Sequence, residues 1–384
     1  MGARVLLHVG LQKSGTTYLQ HALSERTHEL LAAGVRYPGS GRRTVVPNHQ
    51  LPFYGLLPES FPWVGPDVVT RGRTRWRQLR RDLDHARARH EAVLLSAEIL
   101  SYLGPDDVRR VVAELDDGTG DVRVLVTARS LDRLITSAWQ QTVRSGDGAS
   151  LDTFLRARAA NRDELYASHD RESAFTPWRA FGLGALVARW SDVVGTSAVT
   201  VVVNSGRPPE LLWYRFLEAL DLPADGTIEP VDIPEDRKNV GLQWAETEVL
   251  ASVNRQLTEA GVDPLRATRI REAVVHGGFL ARPGLGTALG LPSDWQAKVQ
   301  DWSADELSTL ARLGTRVIGD VADLRPRPAQ SAADQPPSAQ SYQDAAERAL
   351  VAVAASDHFA VAGNGSRAGG VRRALSHVHL PGSR

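Results

Sequence analysis

The run His8-Val-Gly-Leu-Gln-Lys-Ser-Gly-Thr-Thr-Tyr-Leu-Gln20 holds the residue types that can grip an anion. Gly10 and Gly15 permit tight backbone turns. The backbone N–H groups between them, and those of a helix opening at Thr16, would point at a negative group at the positive end of the helix dipole. Thr16 and Thr17 add hydroxyl donors. Gly10 and Gly15 have the spacing of a nucleoside-triphosphate loop, G-x-x-x-x-G-K-[ST]. The residue after Gly15 is nevertheless threonine, and the nearby lysine is Lys13, inside the loop. The chain has lysine only at 13, 238 and 298, which singles out the lysine at this position.

The elements that must position this loop follow from hydrophobic patterning. Arg4 to Val9 predicts a buried strand, and a helix is expected over about 16–33, stopped by Gly34. Val35 to Tyr37 predicts a short strand. Residues 38–66, rich in Pro and Gly, read as a long loop or lid, followed by a helix at about 72–90. Further strands are expected at 92–97, 122–127 and 198–203. Helices are expected at 105–115, 131–144, 151–160, 177–194, 209–220, 243–260, 265–276 and 303–321. Strands alternating with helices imply an α/β fold, a mostly parallel sheet flanked by helices, with a helical C-terminal half. Ligands in such sheets bind beyond the carboxyl ends of the strands. From Pro326 the composition shifts to Pro, Ala, Ser, Gln and Gly. The sequence therefore reads as one domain over 1–325 and a largely disordered tail over 326–384, with a short helix near 342–355.

Composition excludes several classes. The 384 residues carry 45 basic and 45 acidic side chains, which argues against nucleic-acid binding by bulk charge. There is no cysteine, so thiolate chemistry and zinc–thiolate sites are excluded. No cluster of acids or histidines has metal-ligand spacing, so no metal is expected. No apolar run reaches the roughly 18 residues of a membrane span. The apolar stretch at 5–9 is too short for a signal peptide, so the expected location is cytoplasmic. Arginine use with abundant Ala, Gly and Val suggests a GC-rich bacterial source.

Lys13-Ser14-Gly15-Thr16-Thr17 resembles the 5′-phosphosulfate loop of sulfotransferases that use 3′-phosphoadenosine 5′-phosphosulfate (PAPS). That family has a P-loop-like fold with the lysine displaced into the loop. The resemblance implies that Lys13 contacts the phosphosulfate and the leaving oxygen, and that Ser14, Gly15, Thr16 and Thr17 belong to the 5′-phosphate cradle. A second run, Val124-Leu-Val-Thr-Ala-Arg-Ser-Leu-Asp-Arg-Leu-Ile-Thr-Ser-Ala-Trp-Gln-Gln141, resembles the family's 3′-phosphate element. There Arg129 ends a strand, and Ser137 lies eight residues on. Trp139 reads as packed core. Arg237-Lys-Asn-Val-Gly-Leu-Gln-Trp244 resembles a third nucleotide segment, with Asn239 where glycine is expected and Gly241 one place early.

Sulfuryl transfer to an alcohol needs a base. His49, in the loop after the second strand, and Glu98, at the end of the third, are both candidates; His49 is preferred, because a histidine is neutral near neutral pH. His8 reads as a core histidine. A helix carrying Arg71, Arg73, Arg75, Arg77, Arg80, Arg81, Arg87 and Arg89 could guide an anionic acceptor, but reads better as a solvated face. The resemblance implies a PAPS-dependent transferase of the carbohydrate or small-metabolite type, with a small molecule or glycan as acceptor and no metal. An ATP-dependent small-molecule kinase and a non-catalytic nucleotide-binding module are the alternatives.

Overall fold

The computed structural model describes residues 4–39, 48–118, 121–167, 176–206, 208, 210–232, 241–281, 289–327 and 336–356. Six strands form one sheet: β1 (Val5–His8), β2 (Val35–Arg36), β3 (Ala92–Ser96), β4 (Val122–Ala128), β5 (Val199–Val203) and β6 (Arg316–Ile318). The order is β2-β3-β1-β4-β5-β6, and every pairing is parallel. The fold is α/β, as the alternation of strands and helices requires. β1, β4 and β5 are buried almost throughout, as expected of parallel strands covered on both faces.

The described helices are α1 (Thr16–Glu25), α2 (Thr27–Ala32), α3 (Gln50–Leu56), α4 (Pro66–Ala88), α5 (Pro105–Leu115), α6 (Leu131–Arg144), α7 (Leu151–Ala167), α8 (Leu183–Val194), α9 (Glu210–Ala219), α10 (Trp244–Glu259), α11 (Pro264–Glu272), α12 (Ser293–Leu313) and α13 (Ala339–Ala354). The residues expected to form one domain fall in two compact units. One comprises Met1–Ile135, Arg158–Arg237 and Ala297–Arg327. The other comprises Thr136–Ala157, Lys238–Gln296 and Pro328–Arg384.

In the first unit, Leu6, Leu94, Leu125, Val202 and Ile318 project from five strands onto Leu19 and Leu23 of α1 and Trp213 and Phe216 of α9. α8 packs on β4 and β5, and α4 packs on β3. α4 buries Trp76, Leu79, Leu83 and Ala86, leaving its arginines outside. Arg80 pairs with Glu114 at 3.1 Å and Arg87 with Asp84 at 3.1 Å, so part of that basic face is already neutralised.

Three local differences from the sequence reading have clear causes. The helix expected over 16–33 breaks at Arg26 into α1 and α2. α3 occupies part of the expected loop because its Gly55 lies directly on Gly72 of α4. A Cβ at Gly55 would come 2.1 Å from the Arg73 backbone nitrogen, so both residues must be glycine for the helices to cross this closely. Finally, the helix expected to reach 321 ends at Leu313, where Gly314 turns left-handed (φ 64°) and releases the chain into β6.

In the second unit, α13 is the short helix expected near 342–355 in the tail, beginning three residues earlier. It packs against α10 and against a π-helical turn, Ala273–Phe279, with Ala345, Ala349 and Ala352 buried. Arg348 of α13 pairs at 3.1 Å with Glu246 of α10, a fully buried acid that also closes the capping box of α10. Trp139 is core as expected, its indole N–H donating to the Ala149 carbonyl at 2.9 Å.

Candidate active site

β1 gives way to the loop while still tied to β4: the N–H groups of Val9 and Leu11 donate to the carbonyls of Leu125 and Thr127, each at 2.9 Å. The loop turns left-handed three times, at Gly10 (φ 49°), Lys13 (φ 62°) and Gly15 (φ 102°). A Cβ on Gly10 would fall 2.6 Å from Thr127 Oγ1; one on Gly15 would fall 2.5 Å from Leu212 Cδ2 and 2.7 Å from Asn204 Nδ2. Lys13 thus accepts an uncommon backbone geometry for a side-chain-bearing residue. Gly15 is the N-cap of α1 and supplies no side-chain cap. The first amides of α1 therefore keep their donors for an anion.

Ser14 points the other way. It is fully buried. Its hydroxyl donates to the Leu11 carbonyl and lies 2.7 Å from Thr127 Oγ1, and its carbonyl accepts from Asn204 Nδ2 at 2.7 Å. Of Ser14, expected in the 5′-phosphate cradle, the side chain is thus turned away from any ligand and fixes the shape of the loop. Asn204, just after β5, anchors the loop from beneath, a role that sequence spacing does not announce. Thr16 is also buried, and its hydroxyl donates to Glu98 Oε2. Only its N–H remains for a ligand. Thr17 is exposed at the first turn.

A buried polar chain supports the loop. His8 Nε2 lies 3.1 Å from Thr127 Oγ1, and His8 Nδ1 lies 2.9 Å from Ser96 Oγ. Ser14 gives its proton to a carbonyl, so Thr127 must donate to Ser14, His8 Nε2–H to Thr127, and Ser96 to His8 Nδ1. Gln20 completes the chain by donating to Ser96 Oγ at 3.1 Å. His8 is a satisfied core histidine. Burial holds its pKa down at about 3.

His49 is likewise locked. Its Nδ1 accepts the Ser96 N–H at 3.0 Å, and its Nε2–H donates to the Pro38 carbonyl at 2.9 Å. The ring stands edge-on to Tyr37, with centroids 4.8 Å apart. Burial lowers its pKa to about 4, against the opposing pull of the Pro38 bond. The preference for His49 as base is corrected: a ring with both nitrogens engaged by backbone cannot take a proton from an acceptor.

Glu98 follows β3 and opens a 3₁₀ turn, Glu98–Tyr102. Thr16 donates to one carboxylate oxygen and Gln50 Nε2 to the other, at 3.5 Å. Burial raises its pKa. The Thr16 bond, the Lys13 charge and the Gln50 bond each oppose that rise. Glu98 and Lys13 are therefore brought together at the mouth of the loop.

Arg129 follows β4 and is half-buried, and its Nε has no hydrogen-bond partner among the described residues. Burial, and then Arg133, lower its pKa to about 10. Arg133 donates to the Ser205 carbonyl at 3.2 Å. A Cβ at Gly206 would lie 2.8 Å from Arg133 Nη1 and 3.9 Å from Arg129 Nη2, so two guanidinium groups share that corner. Arg133 was missed by sequence reasoning; its signal is the one-turn spacing from Arg129. Ser137 is half-buried on α6, within the second unit, whereas Arg129 belongs to the first. Residues 237–240 of the third nucleotide segment and 40–47 of the expected lid lie outside the described residues. Among the described residues, no group of three His, Asp or Glu is placed to hold a metal, and no helix is long and apolar enough to cross a membrane.

No family model matches the chain, and no curated protein matches it. Among solved structures, the chain is similar to a sulfotransferase from Alicyclobacillus acidocaldarius, at 18% identity and a TM-score of 0.38. The match covers 70% of this chain and 99% of the other.

Proposed function

We propose that this chain transfers a sulfuryl group from PAPS to a hydroxyl or amine of a carbohydrate or small metabolite. The observation that carries the reading is the loop itself: an uncapped helix N-terminus at Gly15, with Lys13 set inside the turn and Glu98 beside it. The donor fits these residues. The α1 amides suit its 5′-phosphate, and Arg129, whose Nε has no partner among the described residues and which has a second guanidinium nearby, suits a further phosphate. When bound, PAPS supplies the sulfuryl group.

Each residue then has one task. Glu98 takes the proton of the acceptor hydroxyl, and its burial-raised pKa makes it a better base near neutral pH than an exposed acid. The acceptor oxygen forms its bond to sulfur as the bond from sulfur to the bridging phosphate oxygen breaks. Lys13 and the α1 amides stabilise the charge left on that oxygen. Thr16 holds Glu98 against the loop. His49 fixes the backbone of Ser96, and through it the end of β3.

Thermal denaturation tests the reading against a kinase. A ligand at a hundredfold excess over its dissociation constant stabilises the native state by about 2.7 kcal/mol. Adenosine 3′,5′-bisphosphate should raise the melting temperature without magnesium, and Arg129→Ala should remove most of that rise. A larger rise with ATP and magnesium than with the bisphosphate would sink the sulfotransferase reading in favour of the kinase.

A further inference from the structure

Four aromatic rings run edge-to-face beside Glu98. Tyr54 meets Phe61 at 5.1 Å between centroids, Phe61 meets Trp63 at 5.7 Å, and Trp63 meets Tyr102 at 6.0 Å. Phe61 is buried, whereas Tyr54, Trp63 and Tyr102 are half-buried. The chain is tied to the reacting residues at both ends. Tyr54 donates its hydroxyl to Gln50 Oε1 at 3.2 Å, and Gln50 donates onward to Glu98. Tyr102 donates to Gln12 Oε1 at 3.1 Å, inside the phosphate loop next to Lys13.

Both tyrosine hydroxyls are thus committed to glutamines. What this ledge can offer a ligand is ring surface and neutral amide groups. The charges around it are Glu98, which raises the pKa of Tyr54 and Tyr102, Arg158, which opposes that rise at Tyr102, and Lys13, which follows Gln12 and acts on Glu98; burial outweighs the first two at the tyrosines. An anionic acceptor placed here would lie beside the Glu98 carboxylate. An uncharged ring would stack on the aromatic faces and hydrogen-bond to the amides.

Resting on the sulfuryl-transfer reading, we propose that Tyr54, Trp63 and Tyr102, with Gln12 and Gln50, form the acceptor subsite, and that it takes an uncharged ring bearing the nucleophilic hydroxyl. A pyranoside and a phenol share that chemistry. The test uses the full chain, with and without adenosine 3′,5′-bisphosphate, and ligand-observed NMR. Methyl glucopyranoside and 4-methylphenol are the uncharged probes; methyl glucuronide and 4-hydroxybenzoate are their carboxylated counterparts.

At least one uncharged probe should bind in the millimolar range or tighter, and its counterpart about tenfold more weakly. Which of the two binds separates the sugar from the phenol. Trp63→Ala should weaken that probe about tenfold, as loss of a stacking partner implies, whereas Trp63→Phe should retain it. The bisphosphate-induced melting shift should survive both substitutions. Equal or tighter binding of the carboxylated probes, no binding of either uncharged probe, or indifference to Trp63→Ala with the fold intact would overturn the subsite. Absence of any bisphosphate shift in the unaltered chain would instead strike at the sulfuryl-transfer reading, leaving the probe titrations to report on the ledge alone.

Discussion

Thr16 donates its hydroxyl to Glu98, so the first turn of α1 and an acid at the end of β3 form one hydrogen-bonded unit. Under the proposed reading, the contact couples an amide that would face the donor's 5′-phosphate to the carboxylate that would take the acceptor's proton. It also lowers a pKa that burial raises.

Glu98→Gln keeps an acceptor for Thr16 and removes the proposed base. Turnover should fall by about 10²–10⁴, the usual contribution of a general base. The pH profile gives the sharper reading. A base with a raised pKa is lost by protonation as pH falls, so the unaltered chain should show an acid limb above the usual carboxylate range. Persistence of that limb at the same pH in Glu98→Gln would exclude Glu98 from the role.

His49 and His8 should instead govern acid stability. Both are buried neutral, with pKa values near 4 and 3 against about 6.5 when unfolded. The unfolded chain binds the extra protons, so their contribution is complete above pH 6.5 and is lost as pH falls toward the folded values. Each histidine should cost about 1.4 kcal/mol per pH unit in that window. Chemical denaturation from pH 7 to 5 checks this. His49→Gln should flatten the slope while leaving the acid limb of turnover in place; an unchanged slope would mean that the ring is not buried neutral.

Lys13 should behave differently from both. Lys13→Ala should lower turnover by about 10²–10³, comparable to losing one preorganised donor at a developing oxyanion. The fold should stand, because the loop's shape is held by Gly10, Ser14, Gly15 and Asn204. Near-normal turnover by a folded Lys13→Ala protein would remove Lys13 from the chemistry.

The local parts of this site are legible in the sequence. β1, the glycine turn and the start of α1 are contiguous, and Glu98 and Arg129 each follow a strand whose apolar run marks it. Side-chain direction is not legible. Ser14 turns inward because Thr127 of β4 and Asn204 after β5 flank it, residues more than a hundred positions away. His49 is drawn into the core by Ser96 and Pro38, a pairing fixed by where the chain crosses the end of β3. α3 was hidden because glycine reads as loop, whereas Gly55 and Gly72 here allow two backbones to touch. Asn204 carries no motif, and its role exists only once β4 and β5 lie side by side.

The segment after Arg325 should matter to stability, contrary to what its composition suggests. Low aromatic content and many Pro, Ser and Gln residues predict a tail that can be cut without cost. Yet α13 buries three alanines in the second unit, and Arg348 meets Glu246 there. Glu246 has no exposed surface, so removing Arg348 takes a charge-assisted contact away from a buried carboxylate, at a cost of about 1–3 kcal/mol. Its other oxygen still accepts the Gln243 N–H at 2.8 Å, which keeps the cap of α10 intact and confines the loss to one contact. Arg348→Ala should therefore lower the melting temperature by several degrees. Truncation after Arg325 should lower it further, because the apolar face against α10 and Ala273–Phe279 is exposed as well. Equal melting temperatures for the full and truncated chains would show that α13 adds nothing to the stability of its unit.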